Sequence, residues 1–504
     1  MDLIAKDEPV TNEQTLSSDA LISNCEKERL HLSGHIQPFG GLLCFEWVTN
    51  NVTHMSINLS QFLPVDVMLV LGKSLKDSLI ILFRSRPLVE YKTVLCERIF
   101  ESILGAVDAR LTLHNGLVLV ELELSAINDA YVHSYAEYQH KLFIMPTDET
   151  ELALYHQTLT SAIREITQFN RVMIYRFHAD LSGEVISEST SESMGSYLGL
   201  RFPASDIPAI ARHLYVLNPY RLINNINVAP LPILSYDNFP PDLTFSDLRS
   251  VSPVHVHYLH NMKVVASFAV SILISGKLWG LIICHHAKPA FVPLRDRERC
   301  ATLARCYGLG LSYFESNRRV MMMNNLHSKV ERVIEPVVAS SHDIVKGLES
   351  GYQGLIEAVS AHGLIILFAN QRLVVGETPD PESVDRLDYW FVKQNRESVA
   401  TTDHLVVLLN KEISSSKSGG MMAIKNYSAK SGWVRLFWFR NALPQEVAWG
   451  RNPNKPIENV DTQALSPQHS FEKWVEIRTD YSRPWTEEDQ AVAKMLRVGL
   501  LRWL

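Results

Sequence analysis

The segment from Leu198 to His286 holds the densest set of side chains able to do chemistry. It contains Arg201-Phe-Pro-Ala-Ser-Asp-Ile-Pro208, then Tyr215 and Arg221, then Arg249, Ser252, His255, His257, Tyr258 and His260, and ends on His285 and His286. Arginines accompanied by tyrosines and serines suit a ligand bearing carboxylates, because the planar guanidinium fork binds a carboxylate through two parallel N–H donors. Taken singly, Arg221 and Arg249 read as surface or structural residues instead. His255, His257 and His260 invite a metal reading, since imidazole is a common ligand for zinc and iron. No HExxH or Cys/His pairing accompanies them, which favours hydrogen-bonded pocket histidines. No GxSxG is present, and Ser205 beside Asp206 offers no strand-to-helix elbow for a nucleophile. Asp206 stands before Ile207-Pro208, and the proline biases Ile207 away from helix, so the acid lies at an irregular backbone position. A carboxylate there can set the charge of a nearby basic group or ligand. A helix N-terminal acid ahead of Ala209–Tyr215 explains Asp206 equally well.

The elements that must position these residues are partly legible. Arg171–Phe177 reads as a strand after a helix over Glu151–Thr167. Ser267–Ile274 and Lys277–His285 flank Ser275-Gly276 as a hairpin. On its first strand Phe268, Val270, Ile272 and Ile274 share a face that seeks a core. Ser267, Ala269 and Ser271 share the other, whose small, partly polar side chains leave room for a ligand. Upstream, residues 41–145 read as short strands and turns, including Leu117–Leu124 and the apolar run Lys141–Met145. Downstream, Asp296 to about Val345 reads as one or two long helices, with Gly308-Leu-Gly310 as helix packing. A further unit is expected from near Gly354, with a hairpin at Leu364–Val375 and a strand at Val434–Phe439. Arg451–Ser466, rich in Asn and Pro, reads as a long excursion. Thr486 caps a closing helix whose apolar spacing runs to the last residue, so a continuation into an output domain is expected, the alternative being a helix that simply docks on its own domain. The whole is an α+β chain of three αβ units joined by long helices, without an internal repeat.

Composition sets the outer limits. The chain has 504 residues, 46% of them hydrophobic, with a formal net charge of −7, which fits a folded multidomain protein and argues against nucleic-acid or anionic-membrane partners. The N-terminus has no apolar signal core, and the apolar stretch Val264–Cys284 is too interrupted to span a bilayer. Six cysteines without a CxxC pair suit reduced thiols and a cytoplasmic location.

Taken together, the motifs resemble the photosensory core of a bacterial phytochrome over almost the whole chain. The matching pieces are Cys25-Glu-Lys-Glu-Arg-Leu-His31 leading to Gly34-His-Ile-Gln-Pro-Phe-Gly40, Arg171–Phe177 with Ser182-Gly-Glu184, Arg201–Pro208, Ser252-Pro-Val-His-Val-His-Tyr258 and Leu278–His286. Trp449-Gly450, Lys455-Pro456 and Pro467–Phe471 are similar to the family's tongue. The resemblance implies an N-terminal segment (1–40), a PAS domain (41–145), a GAF domain (146–315) and a PHY domain (316–504) with its tongue at about 440–485. It also implies antiparallel sheets, a figure-of-eight knot with Ile36 threaded through a GAF loop, and a linear tetrapyrrole as cofactor. Cys25 stands where bacterial members attach biliverdin, while the plant-type attachment position is Val254, so biliverdin IXα is expected.

By the same resemblance Asp206 and His255 lie near the pyrrole nitrogens. Arg221 and Arg249 pair with the propionates, assisted by Tyr215, Ser252 and Ser267. Tyr175, Phe202, Tyr258 and His285 enclose ring D, with Ile207 and Met173 completing the lining. Red or far-red light isomerises the bridge between rings C and D, and the tongue, with Trp449, Arg451, Gln468 and Ser470, refolds to signal through the long helices. A homodimer and a C-terminal effector are implied, with no enzymatic activity in this chain. The sequence departs from the usual tongue motif Pro-Arg-x-Ser-Phe, having Pro467-Gln468-His469-Ser470-Phe471. Gln468 carries no charge for the aspartate that the arginine pairs with in relatives, so an altered balance between states is expected, with Arg451 a replacement cation. Phe39 also stands where relatives commonly have histidine. A GAF/PAS sensor of a diffusible small molecule, without photochemistry, is the alternative reading.

Overall fold

The computed structural model describes residues 29–65, 67–126, 132–191, 194–339, 344–368, 371–394, 397–408, 418–428, 432–450 and 474–503. The chain is α+β, with three predominantly antiparallel sheets. Two compact units are formed, Met1–Phe314 with Ala448–Trp474, and Glu315–Val447 with Val475–Leu504.

In the first unit a seven-stranded sheet runs in the order His35–Ile36, Leu231–Ser235, Val52–Ser56, Gly40–Glu46, Leu117–Leu124, Gly105–His114 and Thr93–Ser102. The period-two rule explains its two faces. Val118, Val120 and Leu122 enter a core with Phe45 and Phe83. Glu121 and Glu123 point to the opposite face yet are buried too, each 2% exposed. Buried carboxylates need partners. Glu121 meets Arg110 at 2.7 Å, and Glu123 meets Arg297, whose guanidinium also reaches Asp247.

Residues 35–37 run between two other segments. His35 and Ile36 pair with Pro232 and Leu231 on one side. On the other, Gln37 N–H donates to the Leu248 carbonyl at 2.7 Å and Ser250 N–H to that of His35 at 3.0 Å. Ile36 is fully buried there.

The second sheet of this unit contains, in order, Tyr220–Ile223, Ala266–Ile274, Lys277–His286, Arg171–Phe177, Gly183–Thr190 and Arg201–Phe202. The expected hairpin is present, with Ser275 and Gly276 at φ of 49° and 75°, the paired left-handed turn that matches strand twist. Phe268, Val270 and Ile272 lie in one core with Val172, Ile174 and Leu222. That face is covered by the helix Glu149–Thr167 and the first turns of the helix Leu294–Ala339. Asp148 starts the former helix by accepting from the backbone of Thr150 and Glu151.

The run Lys141–Met145, expected among short strands and turns, closes a helix, Val132–Phe143. Helical spacing lets Tyr135, Tyr138 and Leu142 pack on the same core as Glu149–Thr167, and Tyr138 donates to Glu165 at 2.8 Å. Four consecutive apolar residues carry no period that separates helix from strand, and packing settled the outcome. Gly310 marks close packing, since a Cβ there would stand 2.1 Å from the Tyr155 hydroxyl.

The second unit has a five-stranded sheet ordered Gln371–Gly376, Gly363–Phe368, Gly432–Asn441, Ser418–Ser428 and Val399–Thr402. Both faces are covered, Leu364 and Ile366 entering one core, Ile365 and Leu367 the other. Gly354, expected near the start of this unit, lies inside the helix Ile344–Ala358, against Val333. Thr486 caps Glu487–Trp503 reciprocally: Asp489 N–H donates to Thr486 Oγ1 at 3.1 Å and Thr486 N–H to the Asp489 carboxylate at 2.9 Å.

Candidate functional site

Directly opposed residues of an antiparallel sheet share a face. The registers Arg221↔Ala269, Ser267↔His285, Ile283↔Met173 and Leu281↔Tyr175 therefore place Arg221, Ser267, His285, Met173 and Tyr175 together, away from the helical core. Met173, Tyr175 and Phe202 form an apolar cluster there, with Ile207, Tyr215 and Tyr197 packed against it. The rings of Tyr175 and Phe202 are 6.0 Å apart. Gly183 has no room for a side chain, because a Cβ would fall 1.8 Å from the Tyr175 ring.

Asp206 ends a single 3₁₀ turn, Ala204–Asp206, and Ile207, at φ −127° and ψ 89°, is held out of the helical region before Pro208. The Tyr258 hydroxyl donates to the Asp206 carboxylate at 3.1 Å. His255 stacks on Tyr258 one helical turn away, with ring centroids 5.9 Å apart, on the helix Pro253–Asn261 that Ser252 precedes. His257 and His260 are exposed, on other faces of the same helix.

Arg221 and Arg249 lie close enough to repel each other. Arg221 donates to the backbone carbonyls of Asp247, Arg249 and Ser250, and Arg249 to that of Leu243 at 3.1 Å. Among the described residues neither has a carboxylate within ion-pair distance. Burial pushes both guanidiniums below their ordinary range, and mutual repulsion drives Arg249 further, to about 9. Tyr215 lies beside them, its phenol raised by burial against the pull of both charges. Asp247 and Glu121 offset part of this, but two enclosed cations without a paired carboxylate, next to aromatic walls, are the electrostatic signature of an anion site.

Burial, aided by the Arg221 charge, pushes His255 down from 6.5 to about 4. The unfolded chain then takes up the proton first, so stability present above about pH 6.5 is lost as pH falls toward 4. His156, also lowered to about 4, and His285 act in the same direction. We expect denaturant midpoints of the ligand-free chain to fall over this range and His255→Gln to flatten part of the slope. An unchanged slope would remove His255 from the account.

In the segment that the sequence reading expects to form the tongue, Trp449 is buried and pairs in parallel with Arg201, and a Cβ on Gly450 would stand 2.4 Å from the Phe202 ring. Cys25, Arg451, Gln468 and Ser470 lie outside the described residues. The sequence reading assigned no role to Arg171, Tyr197 or Asp247. Arg171 shares its strand face with Met173 and Tyr175 and was findable by alternation. Asp247 bonds the Leu222 N–H and Arg297, which no local pattern signals.

Three regions of the chain match known protein families. The family profile described as PAS fold matches residues 25–125, that of the GAF domain 155–306, and that of the phytochrome region 327–504. The chain is 31% identical over 513 residues to cyanobacterial phytochrome B of Nostoc sp., covering 97% of this chain and 67% of that protein. It is 30% identical over 509 residues to a bacteriophytochrome of Pseudomonas aeruginosa, covering 95% and 66%. The chain thus spans about two thirds of the length of these curated relatives. The Stigmatella aurantiaca phytochrome photosensory core module matches with a TM-score of 0.79 at 31% identity, over 95% of this chain and 97% of that one. A bacteriophytochrome from R. palustris matches with a TM-score of 0.79 at 26% identity, over 95% and 99%. With PAS, GAF and PHY regions in that order, the chain belongs to the phytochrome family of red/far-red light photoreceptors, as a photosensory core.

Proposed function

We propose that the open sheet face of the GAF region holds biliverdin, joined covalently to Cys25, and that red and far-red light switch the chain between two states. The observation that carries this reading is the pair Arg221 and Arg249, enclosed, mutually repelling, and hydrogen-bonded to backbone carbonyls. A ligand with two carboxylates beside a conjugated apolar body supplies what they lack, and Tyr215, Ser252 and Ser267 are placed to assist. When bound, the bilin supplies light absorption and isomerisation between rings C and D. The chain's own residues do the rest. Asp206, hydrogen-bonded by Tyr258, offers a carboxylate for the pyrrole N–H groups, and neutral His255 adds a polar neighbour. Tyr175, Phe202, Tyr258 and His285 wall the moving ring, with Met173 and Ile207 excluding water.

The tongue, through Trp449, Arg451, Gln468 and Ser470, would read the state of Asp206 and pass it to the long helices. Ile36 would thread a GAF loop as a knot. Exposed Leu309, Tyr313 and Val320 along Leu294–Ala339 follow a spacing that a second copy would cover, and support a homodimer. The effector would follow the terminal helix.

An absorption spectrum of the chain mixed with biliverdin, before and after red and far-red illumination, tests this. A red-region band that converts reversibly is expected, and Cys25→Ala should lose the covalent adduct under denaturing conditions. Bilin binding without a light response would favour the small-molecule sensor. Restoring the tongue cation by Gln468→Arg is expected to alter thermal reversion. Identical reversion kinetics would show that Gln468 does not set the balance.

A further inference from the structure

We infer that Glu121, a carboxylate of the seven-stranded sheet, is a positioning residue for the anion site and acts by holding the backbone from which Arg249 projects. This rests on the pocket proposed above and specifies what sets its preference for a dicarboxylate ligand. Glu121 and Arg110 are directly opposed on neighbouring strands, and both are almost wholly buried. Glu121 Oε2 accepts from Arg110 Nη1 at 2.7 Å. A buried pair of that kind adds little by itself, since apolar residues of similar size often replace one without loss. What the acid adds is its second oxygen. Oε1 accepts from the Ser246 hydroxyl at 2.6 Å and from the Leu248 N–H at 2.8 Å. Arg110 Nη1 also donates to the Phe245 carbonyl at 2.6 Å.

Residues 245–250 form neither helix nor strand, so their place is set by the groups that bond to their backbone. On one side stand Glu121 and Arg110. On the other, Arg221 donates to the carbonyls of Asp247, Arg249 and Ser250, and Gln37 Nε2 to that of Asp247 at 3.3 Å. The Leu248 N–H is one residue ahead of Arg249, so its bond to Glu121 fixes where the Arg249 side chain begins. A hydrogen bond to a carboxylate out of reach of water is strong enough to hold that backbone. A binding group must stay within about 0.5 Å of its productive place. Arg249, only 7% exposed, is too tightly packed to make up for a shifted origin. The separations of 125 and 127 residues mean that a sheet remote in sequence sets the geometry of the site.

Two double variants separate the acceptor from the charge, both made in a Cys25→Ala parent chain so that binding stays reversible. Glu121→Gln with Arg110→Met removes both charges and keeps a side-chain oxygen for Ser246 and Leu248. Glu121→Leu with Arg110→Met removes the charges and the oxygen alike. Neither strands a buried charge, so both are expected to fold. Absorbance titrations with biliverdin and with its dimethyl ester, which has no carboxylate, give the ratio of the two affinities. The parent chain should favour biliverdin, and the Gln variant should keep most of that ratio. The Leu variant should lose about tenfold of it, the worth of one charge-assisted hydrogen bond. A residue that only supports the fold would weaken both ligands alike and leave the ratio unmoved. With Arg249→Met added, the two variants should differ little, because Glu121 acts through Arg249. Equal ratios in the Gln and Leu variants would overturn the inference, as would an undiminished difference between them without Arg249. Should the Leu variant not fold, Ser246→Ala decides in its place: a smaller fall in the ratio is expected, and an unchanged ratio overturns the inference. A parent chain that binds biliverdin and its ester equally would count against the anion site itself, and the role of Glu121 falls with it.

Discussion

Arg297→Ala is expected to cost the first unit roughly 3–5 kcal/mol of stability at neutral pH, the effect of breaking a buried ion pair from one side. Arg297 is fully buried and bonds both Glu123 and Asp247, themselves almost wholly buried. Removing it strands two carboxylates that water cannot reach. Glu123 is already pushed up to about 7 by burial and by its acidic neighbours Asp247 and Glu121, against the pull of Arg297. Without Arg297 that carboxyl rises further and holds its proton longer in the folded than in the unfolded state. The folded variant then binds more protons, so its stability should fall as pH rises, and its deficit should be larger near about pH 8 than near about pH 5.5. Denaturant midpoints of the wild type, Arg297→Ala and Arg297→Ala with Glu123→Gln check this. The second variant should recover part of the loss, because a neutral amide is cheaper to bury. Equal midpoints for all three would mean that the network contributes little. The consequence reaches the proposed ligand site, since Asp247 joins the network through its side chain and accepts from Arg221 through its backbone carbonyl.

Arg249→Met should separate stability from binding. In the ligand-free chain Arg249 is a buried cation facing another, held by the Leu243 carbonyl at 3.1 Å and that of Thr244 at 3.5 Å. Methionine keeps much of the stem volume and removes the charge. The lost hydrogen bonds, about 1 kcal/mol each, oppose the relieved repulsion, so ligand-free stability should stay within about 1 kcal/mol of wild type. Biliverdin affinity should fall by about 1.5–3 kcal/mol, the worth of a charge-assisted hydrogen bond, or about 10- to 150-fold in Kd. Arg249→Lys should lie between, because an ammonium is a single point charge rather than a fork. Titration followed by absorbance reads the affinity, and thermal melts of the ligand-free chains read the stability. Affinity unchanged in Arg249→Met would remove Arg249 from the proposed propionate site. A large loss of ligand-free stability would make it a structural residue, the reading its sequence alone favours.

The sequence was most informative where neighbours a few residues apart decide the outcome. Strand alternation placed Phe268, Val270 and Ile272 in a core and left Ser267 and Ala269 facing the site. The Ser275-Gly276 turn and the Thr486 cap follow from local backbone chemistry and appear as expected. Ordered motifs carried the family. Lys141–Met145 shows the limit of such reading, because a short apolar run suits strand or helix, and its packing on Glu149–Thr167 settled the matter.

What only the tertiary structure decided is the partner of each buried charge. Arg297 finds Glu123 at a separation of 174 residues, and Arg171 finds His285 at 114. Glu121 and Glu123 look like the solvent face of an alternating strand, yet a second layer covers them and makes their pairing obligatory. Local preferences fix which way a side chain points along its own strand. Whether that direction meets water, an opposite charge or a ligand depends on segments brought there by the packing of the whole unit.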